Sequence, residues 1–167
     1  MKYLPLLLLL AGCHGLRVGV GPTIVTDAST GSATLLVQQD VSEHVRVSAG
    51  YITPGFKREN DWTPAGAWEI GDQYMLGVEY VWRSPKKRWS LSVGPYAFTE
   101  TDRITSCRWL WRPAAEFHVT PHWSLGLSHF SNAGFCGQTT LVNPHNDKPI
   151  VVRTNVGYDA ALVWWTR

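Results

Sequence analysis

The stretch YMLGVEYVWR, Tyr74–Arg83, alternates along its length. Successive side chains of an extended chain point to opposite faces, so Tyr74, Leu76, Val78, Tyr80 and Trp82 share one side. Met75, Gly77, Glu79 and Arg83 share the other. One side is aromatic and aliphatic without a charge; the other mixes glycine with charged residues. A strand is the element this pattern specifies. Which of its two faces is covered by protein is a separate question, and the rest of the chain answers it.

No segment after the first fifteen residues sustains a helical period, and alternating runs recur between turn residues. They predict eight strands, at about 16–25, 33–39, 44–51, 74–83, 89–97, 108–119, 123–131 and 156–167. In the first, Leu16, Val18, Val20 and Ile24 oppose Arg17, Gly19, Gly21 and Thr23; in the sixth, Trp109, Trp111, Ala115, Phe117 and Val119 oppose Arg108, Arg112, Glu116 and His118. A soluble barrel turns its apolar face inward, whereas a membrane barrel turns it to lipid and fills its lumen with the polar face. Trp82, Trp89, Trp109, Trp123, Trp164 and Trp165 stand near strand ends, where an aromatic girdle meets the headgroups. The strands also approach the ~9 to 11 residues that cross a bilayer. Arg46, Glu79, Arg112 and Glu116 would then pair inside. The links at 40–44, 84–88 and 120–122 are short, and those at 26–32, 53–71, 100–106 and 132–155 are generally longer, as in bacterial barrels with short periplasmic turns. The expected fold is all-β: an eight-stranded antiparallel up-and-down transmembrane β-barrel with both ends of the barrel chain at the periplasmic side.

The opening MKYLPLLLLLAGCHG has one basic residue, a leucine run too short to span a bilayer as a helix, and small residues before Cys13. Residues 1–12 are expected to be a lipoprotein-type signal peptide, with Cys13 lipidated and 13–167 forming a single barrel domain. Export leaves Cys107 and Cys136 as an even pair for a disulfide. The six histidines show no ligand spacing, since Pro121 separates His118 from His122 in any helix, so no metal or other cofactor is expected. A net charge of +2, or +1 without Lys2, is too weak to indicate nucleic acid. The composition leaves the oligomeric state open, a homodimer included.

The seventh strand ends in SHFSNAG, Ser128–Gly134, and places His129 and Ser131 on the face of Trp123, Leu125 and Leu127. In a membrane barrel that face meets lipid, and this end of the strand reaches the outer leaflet. A serine becomes a nucleophile when a neighbouring base takes its proton, and a histidine two residues away on the same face can do so. The eighth strand runs beside the seventh, and an acid near its start, Asp159, can orient the imidazole.

HFSNAG, followed by NVGYD at Asn155–Asp159, resembles the lipid A 3-O-deacylases of the PagL type, outer-membrane barrel esterases of Gram-negative bacteria. The resemblance implies His129 as general base, Ser131 as nucleophile and Asp159 as orienting acid, with lipopolysaccharide as the substrate. It also suggests Asn132 or Asn155, or backbone amides near Ala133 and Gly134, as the oxyanion site. The motifs cover about the last forty residues. The expected glutamate is here an aspartate, the intervening loop is longer and holds Asp147 as a rival acid, and the chain ends VWWTR rather than on an aromatic. Two other readings of the barrel are a non-catalytic structural or adhesive membrane protein and a lipocalin-like lipoprotein with an apolar interior.

Overall fold

A computed structural model of the 167-residue chain describes residues 15–25, 28–57, 68–70, 72–100, 107–131, 139–142, 149–152 and 157–167. The strands are β1 (Leu16–Val25), β2 (Ala28–Asp40), β3 (Val45–Ile52), β4 (Gly55–Lys57), β5 (Trp68–Ile70), β6 (Gln73–Arg83) and β7 (Trp89–Val93). They continue as β8 (Pro95–Phe98), β9 (Trp109–Trp111), β10 (Ala114–His118), β11 (Trp123–Phe130), β12 (Thr139–Val142), β13 (Pro149–Val152) and β14 (Tyr158–Thr166). The main sheet runs β3-β2-β1-β14-β11-β10-β7-β6, and β3 pairs with β6, which closes it. β8 and β9 continue β7 and β10 in the same register, past breaks at Gly94 and at Arg112–Pro113. Pro95 and Pro113 stand at those breaks, where a missing N–H is least costly. Counted as continuous strands, the barrel has eight, as the alternation predicts.

Every expected strand has a counterpart, and the largest change of boundary is in the second. β2 begins at Ala28 rather than about 33, so the first hairpin has a shorter link than 26–32. The register shifts between Thr23 and Ile24, leaving Thr30 and Gly31 opposite no residue of β1. Gly31 takes φ 68°, a left-handed conformation that glycine adopts without strain, so a Ser-Thr-Gly run that resembles a turn is a bulge inside a strand. The links at 53–71 and 132–155 also carry small hairpins, β4–β5 and β12–β13, whose short strands lack a long alternation.

Burial decides the question of faces. Leu76 and Leu127 are 64% and 68% exposed, while Glu79 and Arg112 are 1% and 2% exposed. Tyr74, Val78, Tyr80, Trp82, Leu91 and Leu125 likewise stand outside. This polarity is the reverse of a soluble barrel, and it argues against a lipocalin-like carrier, whose apolar side must line the interior. Water is a poor solvent for so large an apolar belt, whereas hydrocarbon is a good one. Trp82, Trp89, Trp109, Trp123 and Trp165 are exposed near strand ends, but Trp164 is buried in the lumen. Placing both Trp164 and Trp165 in the girdle conflicts with strand alternation, which allows only one of two successive residues to face out.

The expected interior charges do pair. Arg112 donates to Glu79, Arg17 and Ser124 donate to Glu116, and Arg46 Nε donates to Asp40 Oδ1 at 2.8 Å. Gln38 Nε2 bridges to Glu79 Oε2 at 2.9 Å, and Arg46 Nη1 lies 4.0 Å from Glu116. Toward the other end the lumen becomes apolar: Ile52, Met75, Tyr96, Phe98, Phe130 and Tyr158 are buried together. Phe130 meets Tyr96 and Phe98 edge-on at 5.3 and 5.8 Å between centroids. This aromatic cluster lies behind the strand ends that carry the candidate site.

Candidate functional site

β11 and β14 are antiparallel neighbours, and their register sets His129 directly opposite Asp159. Phe130 and Tyr158, the next opposed pair, are fully buried. Large rings on the inner side thus pin the two backbones, and alternation turns the neighbouring His129 and Asp159 outward. Their side chains are 43% and 50% exposed, and His129 Nδ1 donates to Asp159 Oδ1 at 2.7 Å. The carboxylate fixes the proton on Nδ1 and leaves Nε2 as the ring nitrogen with a lone pair. An aspartate suffices where a glutamate was expected because the two residues are directly paired.

Ser131 extends the ladder beyond β11. Its N–H donates to Trp111 O at 2.9 Å, and Trp111 N–H donates to Ser131 O at 2.6 Å. The bridge continues the β10–β11 register, so Ser131 lies two residues beyond His129 on the same face. Pro113 O accepts the N–H of His129 at 3.0 Å, which ties the intervening backbone to the neighbouring strand. A base held by an acid and followed by a serine on one face is an arrangement able to activate that hydroxyl.

Gly157 keeps the β11–β14 approach close. A Cβ there would lie 1.8 Å from Phe130 O and 3.2 Å from His129 Cε1, so any side chain would force the strands apart beside the imidazole. The sequence marked Gly157 as part of a motif without indicating this function.

Beside the pair runs an outward groove of about 650 Å3, bounded by Trp82, Leu91, Ala115, Leu127, His129 and Asp159. Its shape has a simple origin. Ala115 is opposed by Leu127 on one side and Leu91 on the other, so a small residue lies between two larger ones. The apolar stripe was legible in the sequence, but the trough needed the register. Trp111, exposed and directly opposite Ser131, also emerges only from strand pairing.

Cys107 is buried and disulfide-bonded. Cys136, its expected partner, lies outside the described residues, as do Cys13, Asn132, Ala133, Gly134, Asp147 and Asn155.

No protein-family model matches this chain, and no curated protein matches it. Among solved structures it is similar to a de novo designed transmembrane β-barrel, at a TM-score of 0.53 and 14% identity over 92% of this chain and 95% of that one. At that identity the likeness concerns the fold: a closed eight-stranded antiparallel barrel of the transmembrane kind.

Proposed function

We propose that this barrel is an outer-membrane serine esterase of a Gram-negative bacterium that hydrolyses an ester-linked acyl chain of lipid A, the 3-O chain being the one its sequence resemblance implies. The observation that carries this reading is the His129–Asp159 hydrogen bond on the lipid-facing surface, two residues from Ser131. A soluble substrate would have little access to an outward-facing site at the edge of an apolar belt, whereas a lipid in the same leaflet diffuses directly to it. The groove beside the pair offers an apolar surface to an acyl chain, and Trp111 offers a wall opposite the nucleophile. In the reaction Ser131 Oγ attacks the ester carbonyl as His129 Nε2 takes its proton. The imidazolium then protonates the departing sugar oxygen, and water, deprotonated by the same nitrogen, releases the fatty acid.

Expression of the full chain in a Gram-negative host is expected to yield lipid A lighter by one hydroxyacyl chain in its mass spectrum. An unchanged spectrum with correctly inserted protein would favour the non-catalytic barrel. The groove makes a second prediction. Ala115→Phe fills the space between Leu91 and Leu127 and is expected to slow hydrolysis of long-chain esters by roughly tenfold while sparing short ones. Paired assays on long- and short-chain nitrophenyl esters measure that ratio, and an equal loss on both would separate the groove from chain binding.

A further inference from the structure

At the opposite end of the barrel from His129, the short turns form a pocket of about 600 Å3 that the esterase reading does not use. Its lining includes Arg83, Lys86, Lys87 and His118 together with Thr120 and Thr166, and no carboxylate. Two of the neighbouring acids have other partners. Asp40 is bound by Arg46 and Arg83, and Glu116 by Arg17 and Ser124, with His118 Nδ1 3.8 Å from Glu116 Oε1. Glu43 sits exposed on the adjoining turn and receives Arg83 through its backbone carbonyl. Among the described residues Lys86, Lys87 and Arg88 have no ion-pair partner, and all three are exposed.

The turn that presents these cations is ordered by its own hydrogen bonds. Lys87 N–H donates to Ser84 O at 2.8 Å, Ser84 N–H to Trp89 O at 2.9 Å, and Trp89 N–H to Ser84 Oγ at 3.1 Å. Lys87 adopts φ 52°, a conformation that glycine or asparagine enters more easily. A lysine at that position keeps a charge where the backbone does not favour it. Trp89, Trp123 and Trp165 project outward at the same end, and Trp89 packs on Phe117 at 4.7 Å. Aromatics at this position mark the headgroup level of a bilayer, so the cations lie at the depth of lipid phosphates.

We propose that this pocket binds the phosphate of an anionic glycerophospholipid in the leaflet that surrounds the short-turn end. Lys86 and Lys87 supply the charge, and the adjacent tryptophans hold the lipid's glycerol and upper acyl region. Such a lipid would seat the barrel at a defined depth, independently of any chemistry at His129.

The test uses the full chain reconstituted in phosphatidylcholine vesicles and its intrinsic tryptophan fluorescence. Brominated phosphatidylglycerol and brominated phosphatidylcholine are titrated separately as quenchers. Phosphatidylglycerol is expected to be preferred by about fivefold or more, the effect of one or more lysines near an anionic headgroup. The preference should fall toward one in Lys86→Gln/Lys87→Gln and survive in Lys86→Arg/Lys87→Arg, with the folded state of each checked by its shift on heating before electrophoresis. Equal quenching by both lipids, or an undiminished preference in the glutamine variant, would overturn the proposal. Loss of the preference on adding inorganic phosphate, but not chloride of equal ionic strength, would make free phosphate the occupant and overturn the lipid assignment.

Discussion

Replacing Ser131 with alanine is expected to lower the proposed lipid A deacylation by roughly 10⁴- to 10⁶-fold, to the level left by binding and oxyanion contacts alone. The substitution removes one oxygen just beyond β11 and keeps the backbone bridge to Trp111, so the barrel should still fold and insert. His129→Ala should lose nearly as much, because without the base the hydroxyl stays protonated. Asp159→Asn should cost roughly 10³- to 10⁴-fold. An amide facing Nδ1 no longer enforces the tautomer that leaves Nε2 basic, and it cannot stabilise the imidazolium. The three losses should not add, since the groups act as a unit: Ser131→Ala combined with Asp159→Asn is expected to match Ser131→Ala alone. Release of hydroxy fatty acid from lipid A in mixed micelles measures each rate. Full activity in Ser131→Ala would remove the serine mechanism, whereas loss in Ser131→Ala with full activity in Asp159→Asn would leave the acid's part to Asp147.

Much of this architecture is legible in local patterns, and what is not depends on register. Tyr74 to Trp82 reveal a strand and its two faces because side chains alternate with a period of two whatever lies across the sheet. The polar faces predict that Arg46, Glu79, Arg112 and Glu116 meet, since charges inside a narrow lumen must find partners. That Arg17 is the direct donor to Glu116, and that Gln38 bridges to Glu79, follows from strand order and shear, which no single segment encodes. Trp164 could have been assigned inward, because Trp165 pairs with Trp123 on the outside. The bulge at Gly31 was hidden for a different reason: Ser, Thr and Gly serve turns and bulges alike. At the site, His129, Ser131 and Asp159 could be named because two are on one strand and the third is on its neighbour. The trough over Ala115 could not, because its depth is set by Leu91 and Leu127 on two other strands.

The second large effect is expected inside the barrel, at Glu79. Its side chain is fully buried and accepts from Arg112, from Gln38 at 2.9 Å and from Ser92 Oγ at 3.5 Å. Arg112 is itself enclosed, with its guanidinium carbon 5.8, 5.6 and 5.9 Å from the rings of Tyr96, Phe130 and Trp164. Those rings attract a cation but cannot replace a carboxylate. Glu79→Gln keeps the volume and removes the charge, so no cavity forms and the whole effect is electrostatic. The guanidinium is left uncompensated, and the new amide N–H group competes with Gln38 as a donor. Breaking a buried pair in this way costs about 3–5 kcal/mol. The urea midpoint for unfolding from vesicles, followed by tryptophan fluorescence, should fall accordingly. Glu79→Met combined with Arg112→Met should recover most of the loss, since apolar side chains of similar length need no partner and the neighbouring aromatic cluster can pack against them. A midpoint unchanged in Glu79→Gln would mean that lumenal water, rather than the carboxylate, solvates Arg112. The damage should also reach the outer face. Arg112 precedes Pro113, whose carbonyl holds the N–H of His129 at 3.0 Å, so a displaced Arg112 shifts the backbone that positions the imidazole. Glu79→Gln is therefore expected to slow the proposed ester hydrolysis even under conditions where the barrel stays folded, whereas the double methionine variant should regain stability and rate together.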